Sequence, residues 1–203
     1  MKNNKSSKNS DLNNLEYIKS KILQYSTELK KIAIESVYLK LSNKNDSLEE
    51  KYKSIFQEFR NIKLGCFVSF YIDDNLRGCI GTIEPVFENV VLEVINNAIS
   101  SAFKDPRFKP ISLQELPYLK TKIDFIINIE KIDNLESLNP RKYGVIVKSL
   151  KNKEKRGVLL PDIQGVDTIE DQLKIVFNKA GLIYNKENLF KENEIYKFEV
   201  IRI

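Results

Sequence analysis

The stretch Cys66-Phe67-Val68-Ser69-Phe70-Tyr71-Ile72-Asp73-Asp74-Asn75-Leu76-Arg77-Gly78-Cys79-Ile80-Gly81-Thr82 decides how this chain is read. Its first part alternates with a period of two. Cys66, Val68 and Phe70 share one face, and Phe67, Ser69 and Tyr71 the other, which is the pattern of a strand. Asp73-Asp74-Asn75 is turn chemistry, because short polar side chains tolerate the backbone a tight turn requires. Leu76 to Thr82 follows as a second strand, so the segment predicts a β-hairpin. That second strand carries a thiol, a guanidinium and two glycines. Such a cluster suits a binding or reactive site, and it suits a tightly packed strand pair equally well.

The flanking sequence supplies elements to pack on this hairpin. On the N-terminal side, Ile18, Ile22, Tyr25, Leu29, Ile32, Ser36 and Leu39 recur at three and four residues. Ala33 and Val37 widen the stripe, which predicts an amphipathic helix from Leu15, or two helices joined near Tyr25-Ser26-Thr27. The polar residues before it predict a disordered tail over 1–14, with a single folded domain over 15–203. Ser47, with Glu50 three residues on, opens a short helix through Phe59. On the C-terminal side, Asn89 caps a helix that carries Val91, Ile95, Ala98 and Ala102 on one face and stops at Asp105-Pro106.

Further on, the isoleucine-rich Ile123 to Ile132 predicts a buried strand. Gly144 to Leu150 and Arg156 to Leu160 form a second hairpin. Thr168, with Asp171, opens a helix that Gly181 ends. Tyr196 to Ile203 closes the chain as a strand whose alternation slips at Ile201. The order β-β-α-β-β-β-α-β predicts a mixed α+β domain, with a mainly antiparallel sheet and packed helices, rather than βαβ repetition.

Composition narrows the chemistry. The 203 residues include no histidine, so neither a Ser-His-Asp nor a Cys-His pair can be built within the chain, nor a His-ligated metal site. Two cysteines make no disulfide framework and no four-thiolate zinc site. No metal and no cofactor is therefore expected. The longest apolar runs fall far short of a membrane span, which needs about 20 residues. Met1-Lys2-Asn3-Asn4 leads into polar sequence without a signal-peptide centre, so a cytoplasmic location without membrane contact is the expectation. The net charge of +5 invites a nucleic-acid reading, but 28 acidic residues are interspersed among 33 basic ones, as on a solvated lysine-rich surface.

Cys79 is the candidate nucleophile. Arg77, two residues away along a strand, falls on the same face, where a cation favours thiolate. Small buried core residue is the competing role for Cys79. Gly78 and Gly81 either admit a ligand to the backbone or satisfy bulge geometry. Asp105-Pro106-Arg107-Phe108 is a second candidate, a loop stiffened by prolines that presents a guanidinium fork to carboxylate or phosphate. Alternatively, Asp105 caps a turn and Arg107 pairs with it. The Gly-x-x-Gly of Gly78 and Gly81 is not a phosphate loop, since it lacks the Gly-Lys-Ser/Thr ending. The lysine-rich stretch Lys148 to Arg156 lies at a hairpin turn and is expected to be solvated.

With these elements placed, the chain resembles the AMMECR family, also called AmmeMemoRadiSam system protein A. Four blocks carry the resemblance in order: Leu76-Arg77-Gly78-Cys79-Ile80-Gly81-Thr82, Asp105-Pro106-Arg107-Phe108, Gly157-Val158-Leu159-Leu160-Pro161 and Lys179-Ala180-Gly181-Leu182. It extends from about Glu28 to the C-terminus. The resemblance implies a larger lobe and a smaller lobe, with the first block lining a cleft. It also implies two partners, a radical-SAM protein and a MEMO-type protein. The chain departs from the family's pattern at Arg141-Lys142-Tyr143-Gly144, where a Gly-Lys-His-Gly-like segment is usual, at Asp162 in place of glutamine, and in having no tryptophan.

Two functional readings follow. In one, the protein is a binding module whose cleft, lined by Arg77, Gly78, Gly81, Thr82, Asp105 and Arg107, holds a small anionic ligand or a segment of a macromolecule in concert with those partners. In the other, it is an enzyme or enzyme subunit that uses Cys79 as nucleophile. A nucleic-acid-associated factor is the third alternative. The missing histidine tilts the balance toward binding.

Overall fold

The protein is described by a computed structural model, to the backbone from Asn4 to Ile203 and to the side chains from Asn14. The tail expected over 1–14 lies, but for Asn14, outside the residues so described. The chain divides into two compact units, Met1–Phe125 with Ile201–Ile203, and Ile126–Val200. No helix among the described residues is long and apolar enough to cross a membrane.

The first unit opens with helices α1 (Asn4–Gln24) and α2 (Ser26–Leu41), broken at Tyr25 where the apolar stripe allowed a join. The buried face of α2 is Leu29, Ile32, Ala33, Ser36, Val37 and Leu39, the spacing that made it readable as a helix. Ser47 caps the next helix by accepting the Glu50 N–H at 3.2 Å. That helical stretch is divided at Tyr52 into α3 (Leu48–Lys51) and α4 (Lys53–Phe59), rather than running unbroken to Phe59.

Strands β1 (Cys66–Ile72) and β2 (Asn75–Gly81) form the expected antiparallel hairpin. Its two-residue loop has Asp73 at φ 48° and Asp74 at φ 64°. Positive φ at both central positions is the backbone of a type I′ turn, whose twist matches that of the flanking strands. The pairing then slips: Tyr71 faces Leu76 but Phe70 faces Gly78, leaving Arg77 as the extra residue of a β-bulge.

Helix α5 (Val90–Phe103) starts where Asn89 Oδ1 accepts the N–H groups of Val91 and Leu92, both at 3.0 Å. It packs on β1, β2 and α2. Beyond it, β3 (Lys120–Ile132) pairs antiparallel with β1 over Lys120 to Phe125. The strand order in this unit is thus β2-β1-β3, with β2 at the edge.

The second unit contains the rest of β3, then β4 (Gly144–Ser149), β5 (Arg156–Leu159), α6 (Ile169–Lys179) and β6 (Asn193–Arg202) up to Val200. Its strand order is β3-β6-β4-β5, and β4 pairs antiparallel with both β5 and β6. Helix α6, capped by Thr168 and followed by Gly181 at φ 63°, covers β4 and β5. Val145, Val147, Leu159, Leu173, Val176, Phe177 and Ile195 form its core. Strand β6 begins at Asn193, ahead of the expected Tyr196, and Ile195, Phe198 and Ile201 are buried at intervals of three. Its alternation therefore breaks before Ile201. The fold class is the mixed α+β arrangement with antiparallel pairing that the element order predicts.

Candidate functional site

Glu93, Asn97 and Ser101 follow one another at intervals of four along α5, and Asp105 continues the spacing just past its end. One helical face therefore carries all the helical members, since residues four apart stack. All four are buried. Each holds a piece of the hairpin. Glu93 accepts the Thr82 hydroxyl on one oxygen, and on the other the N–H groups of Val86 at 2.9 Å and Phe87 at 3.0 Å. Asn97 donates to the Cys66 carbonyl at 3.0 Å and to Thr82 Oγ1 at 3.2 Å. The Ser101 hydroxyl accepts the Ile80 N–H at 2.7 Å and donates to the carbonyl of Val68, the residue opposite Ile80, at 2.6 Å. Asp105 Oδ2 accepts the Cys79 N–H at 2.9 Å.

This close approach of helix to strand explains the glycines. A Cβ on Gly78 would lie 2.2 Å from the Ser101 carbonyl oxygen, and one on Gly81 would lie 2.4 Å from the Cys66 carbonyl oxygen. Both positions face protein backbone, and only glycine lets it come so near.

The two arginines are held differently. Arg77, the bulged residue, donates from Nε to Glu115 Oε1 at 2.6 Å and from Nη2 to Glu115 Oε2 at 3.3 Å. It also donates to the carbonyls of Lys109 at 2.8 Å and Pro110 at 3.2 Å, so all three nitrogens are engaged. The Arg77 bond, helped by Ser112 and opposed by burial, draws the Glu115 carboxyl down to about 2. Arg107 instead forms a fork with Asp105, Nε to Oδ1 at 2.9 Å and Nη2 to Oδ2 at 2.7 Å. Its own backbone N–H reaches Oδ1 at 3.1 Å, and Nη2 comes within 3.5 Å of the Cys79 carbonyl. Nη1 has no partner among the described residues. The Arg107 side chain is 51% exposed, whereas that of Asp105 is 2% exposed. Burial raises the Asp105 carboxyl, but the bonds from Arg107 and the Cys79 N–H outweigh it and bring it to about 2.

The thiols also differ. Burial pushes Cys66 up to about 12, with the charges of Glu93 and Asp124 adding to it against the Asn97 bond. Cys79 is only partly buried. Ser69, not Cys66, stands opposite it across the hairpin. Strand alternation placed Arg77 on the Cys79 face. The bulge at Arg77 interrupts that alternation, and Glu115 with two carbonyls takes the guanidinium. Arg107 is the cation whose own titration registers the Cys79 charge, after the larger influence of Asp105.

The first unit thus brings together Cys79, Asp105, Arg107, Gly78, Gly81 and Thr82, with Arg77 tied alongside. Sequence reasoning missed Glu93, Asn97, Ser101 and Glu115. The spacing of four from Glu93 to Asp105 was the available signal for the first three. In the second unit, the stretch Lys148 to Arg156 is tied to its own surroundings, Lys151 pairing with Glu192 and Lys155 donating to the Gly181 carbonyl at 2.8 Å.

The profile of the AMMECR1 family matches residues 30–203, a range that includes all four blocks. The chain belongs to the AMMECR1 family. It is 42% identical over 154 residues to a protein of Thermotoga maritima, covering 75% of this chain and 84% of that one. It is 38% identical to the protein CA_C1420 of Clostridium acetobutylicum, over 85% of this chain. The chain spans only 35% of the length of that relative. Among solved structures it is similar to the uncharacterized protein PH0010 of Pyrococcus horikoshii, with a TM-score of 0.72 and 25% identity, over 87% of this chain and 89% of the other.

Proposed function

We propose that the AMMECR1 domain of this chain binds an anionic group, carboxylate or phosphate, at the corner formed by Cys79 and Arg107. The observation that carries this reading is the outer edge of Arg107. Its inner edge is locked on a buried carboxylate, so the guanidinium is oriented before any ligand arrives, while Nη1 faces outward unpaired. A fixed planar fork suits the two oxygens of a carboxylate or phosphate. Lys104 and Lys109, both exposed, leave the loop 104–110 with three cations against Asp105. The bound anion is a small molecule or a segment of a larger one, presented to a radical-SAM and a MEMO-type partner, as the family resemblance implies.

Titration calorimetry with inorganic phosphate, pyrophosphate and glutarate tests this. At least one should bind, and Arg107→Ala should weaken it about tenfold or more, the worth of one charge-assisted bond. Equal binding by wild type and Arg107→Ala, or no binding of any of the three, contradicts the reading.

The influence of Cys79 on Arg107 supports a second reading, in which the Cys79 thiolate, stabilised by that cation, attacks an electrophile held there. Iodoacetamide labelling separates the two. The thiolate reading requires Arg107→Ala to slow Cys79 labelling at neutral pH, and the binding reading alone does not.

A further inference from the structure

A separate cleft of about 630 Å³ lies in the first unit, between α2, Tyr52 at the head of α4 and the start of β3. We propose that it is a second small-molecule site, built for a monocarboxylate with an aromatic or branched apolar body. Its volume falls within the roughly 300 to 1,000 Å³ typical of small-molecule pockets. Ile34, Leu119, Tyr38 and Tyr52 supply apolar and aromatic wall.

The polar groups of the lining fall into two sets. Those of one set are satisfied by the protein. Glu35 accepts from the Lys51 ammonium on one oxygen and from the Tyr52 hydroxyl, at 2.7 Å, on the other. The Tyr38 hydroxyl accepts from Lys44 at 3.0 Å. Those of the other set have no partner among the described residues. The Thr121 hydroxyl is buried without a hydrogen bond. Lys30 is half buried and makes neither an ion pair nor a hydrogen bond.

A buried hydroxyl left unpaired costs about 1 to 3 kcal/mol, so its persistence calls for a partner. The lone carboxylate of the lining is already occupied, and the unpaired groups are an ammonium and a hydroxyl, both able to donate. The complementary ligand therefore brings an acceptor, and an anionic one answers Lys30. Around the cleft Lys30, Lys31 and Lys51 face Glu28 and Glu35, which leaves the region net positive. The apolar wall excludes a bare inorganic anion as the best occupant.

The test uses 2-naphthoate and its neutral analogue 2-naphthamide, titrated into the full chain with fluorescence and calorimetric readouts. Naphthoate should bind with one-to-one stoichiometry and about tenfold more tightly than the amide, as one charge-assisted hydrogen bond dictates. Lys30→Met keeps the apolar stem and removes the ammonium. It should bring naphthoate down to the amide's affinity without altering amide binding or the melting temperature. Thr121→Val should weaken naphthoate as an independent check, and Arg107→Ala should leave it unchanged, which separates this site from the Cys79 corner. The proposal is overturned if naphthoate shows no saturable binding, if acid and amide bind alike, or if Lys30→Met leaves naphthoate affinity intact. It is equally overturned if Arg107→Ala, rather than Lys30→Met, abolishes binding.

Discussion

Arg77 and Arg107 sit beside the same edge strand, both in contact with a carboxylate, yet their surroundings assign them opposite work. Arg77 is mostly buried, with Nε, Nη1 and Nη2 all donating to Glu115 or to main-chain carbonyls. Arg107 spends one edge on Asp105 and leaves the other in solvent. A saturated guanidinium can only hold the fold, because any ligand must first displace a bond already made. A half-saturated one, fixed in orientation, is ready to bind. The difference lies in the pairing of each nitrogen, and residue type alone does not reveal it.

The strongest way to break this comparison is to remove what supports both arginines from below. Glu93→Ala strips the acceptor from the Thr82 hydroxyl and from the N–H groups of Val86 and Phe87. Chemical denaturation should show a loss of about 3 to 5 kcal/mol, since each buried group left unpaired costs about 1 to 3 kcal/mol. A loss below about 1 kcal/mol would mean that the polar row on α5 is not what holds the hairpin.

Next in size is Arg77→Ala. It should cost about 2 to 3 kcal/mol through the stranded Glu115 and the two freed carbonyls, without loss of anion affinity in the folded protein. Arg107→Ala should cost less, about 1 to 2 kcal/mol, because water can replace a half-exposed partner.

Acid sharpens the comparison by acting on the carboxylates. Asp105 and Glu115 are each held near 2, from ordinary values of 3.8 and 4.5. A depressed folded-state pKa means that the unfolded chain takes up the proton first. Their contribution is therefore full above the ordinary values and is lost as the pH falls toward 2. The melting temperature should drop across that window, and less steeply in Arg107→Ala and Arg77→Ala than in the wild type. Equal slopes in all three proteins would show that these pairs do not carry the acid sensitivity.

The smallest effect concerns the thiols. Cys79 should react with iodoacetamide before Cys66, which is fully buried and pushed up to about 12. Labelling of Cys66 first, followed by peptide mass analysis, would contradict the exposure assigned to each.

Much of the frame was legible before any coordinates. The type I′ turn at Asp73-Asp74, the caps at Ser47, Asn89 and Thr168, and the break at Tyr25 are local chemistry, and local chemistry is written in neighbouring residues. The four blocks pointed to the family and to the right edge of the hairpin. What escaped depends on tertiary pairing. The bulge at Arg77 is a one-residue slip between strands, invisible to a period of two. Glu93, Asn97 and Ser101 looked like a solvated face because polar residues four apart usually are one, whereas here a strand supplies partners for each. Glu115 lies 38 residues from Arg77, beyond the reach of any local pattern.

The central claim is that Arg107 is the open member of the pair and Arg77 the closed one. Its most direct test is the affinity of the tightest-binding anion among phosphate, pyrophosphate and glutarate, measured side by side on folded Arg107→Ala and Arg77→Ala. The account predicts about a tenfold or greater loss in Arg107→Ala and an affinity near wild type in Arg77→Ala. Equal losses in the two variants, or a loss in Arg77→Ala alone, would contradict it.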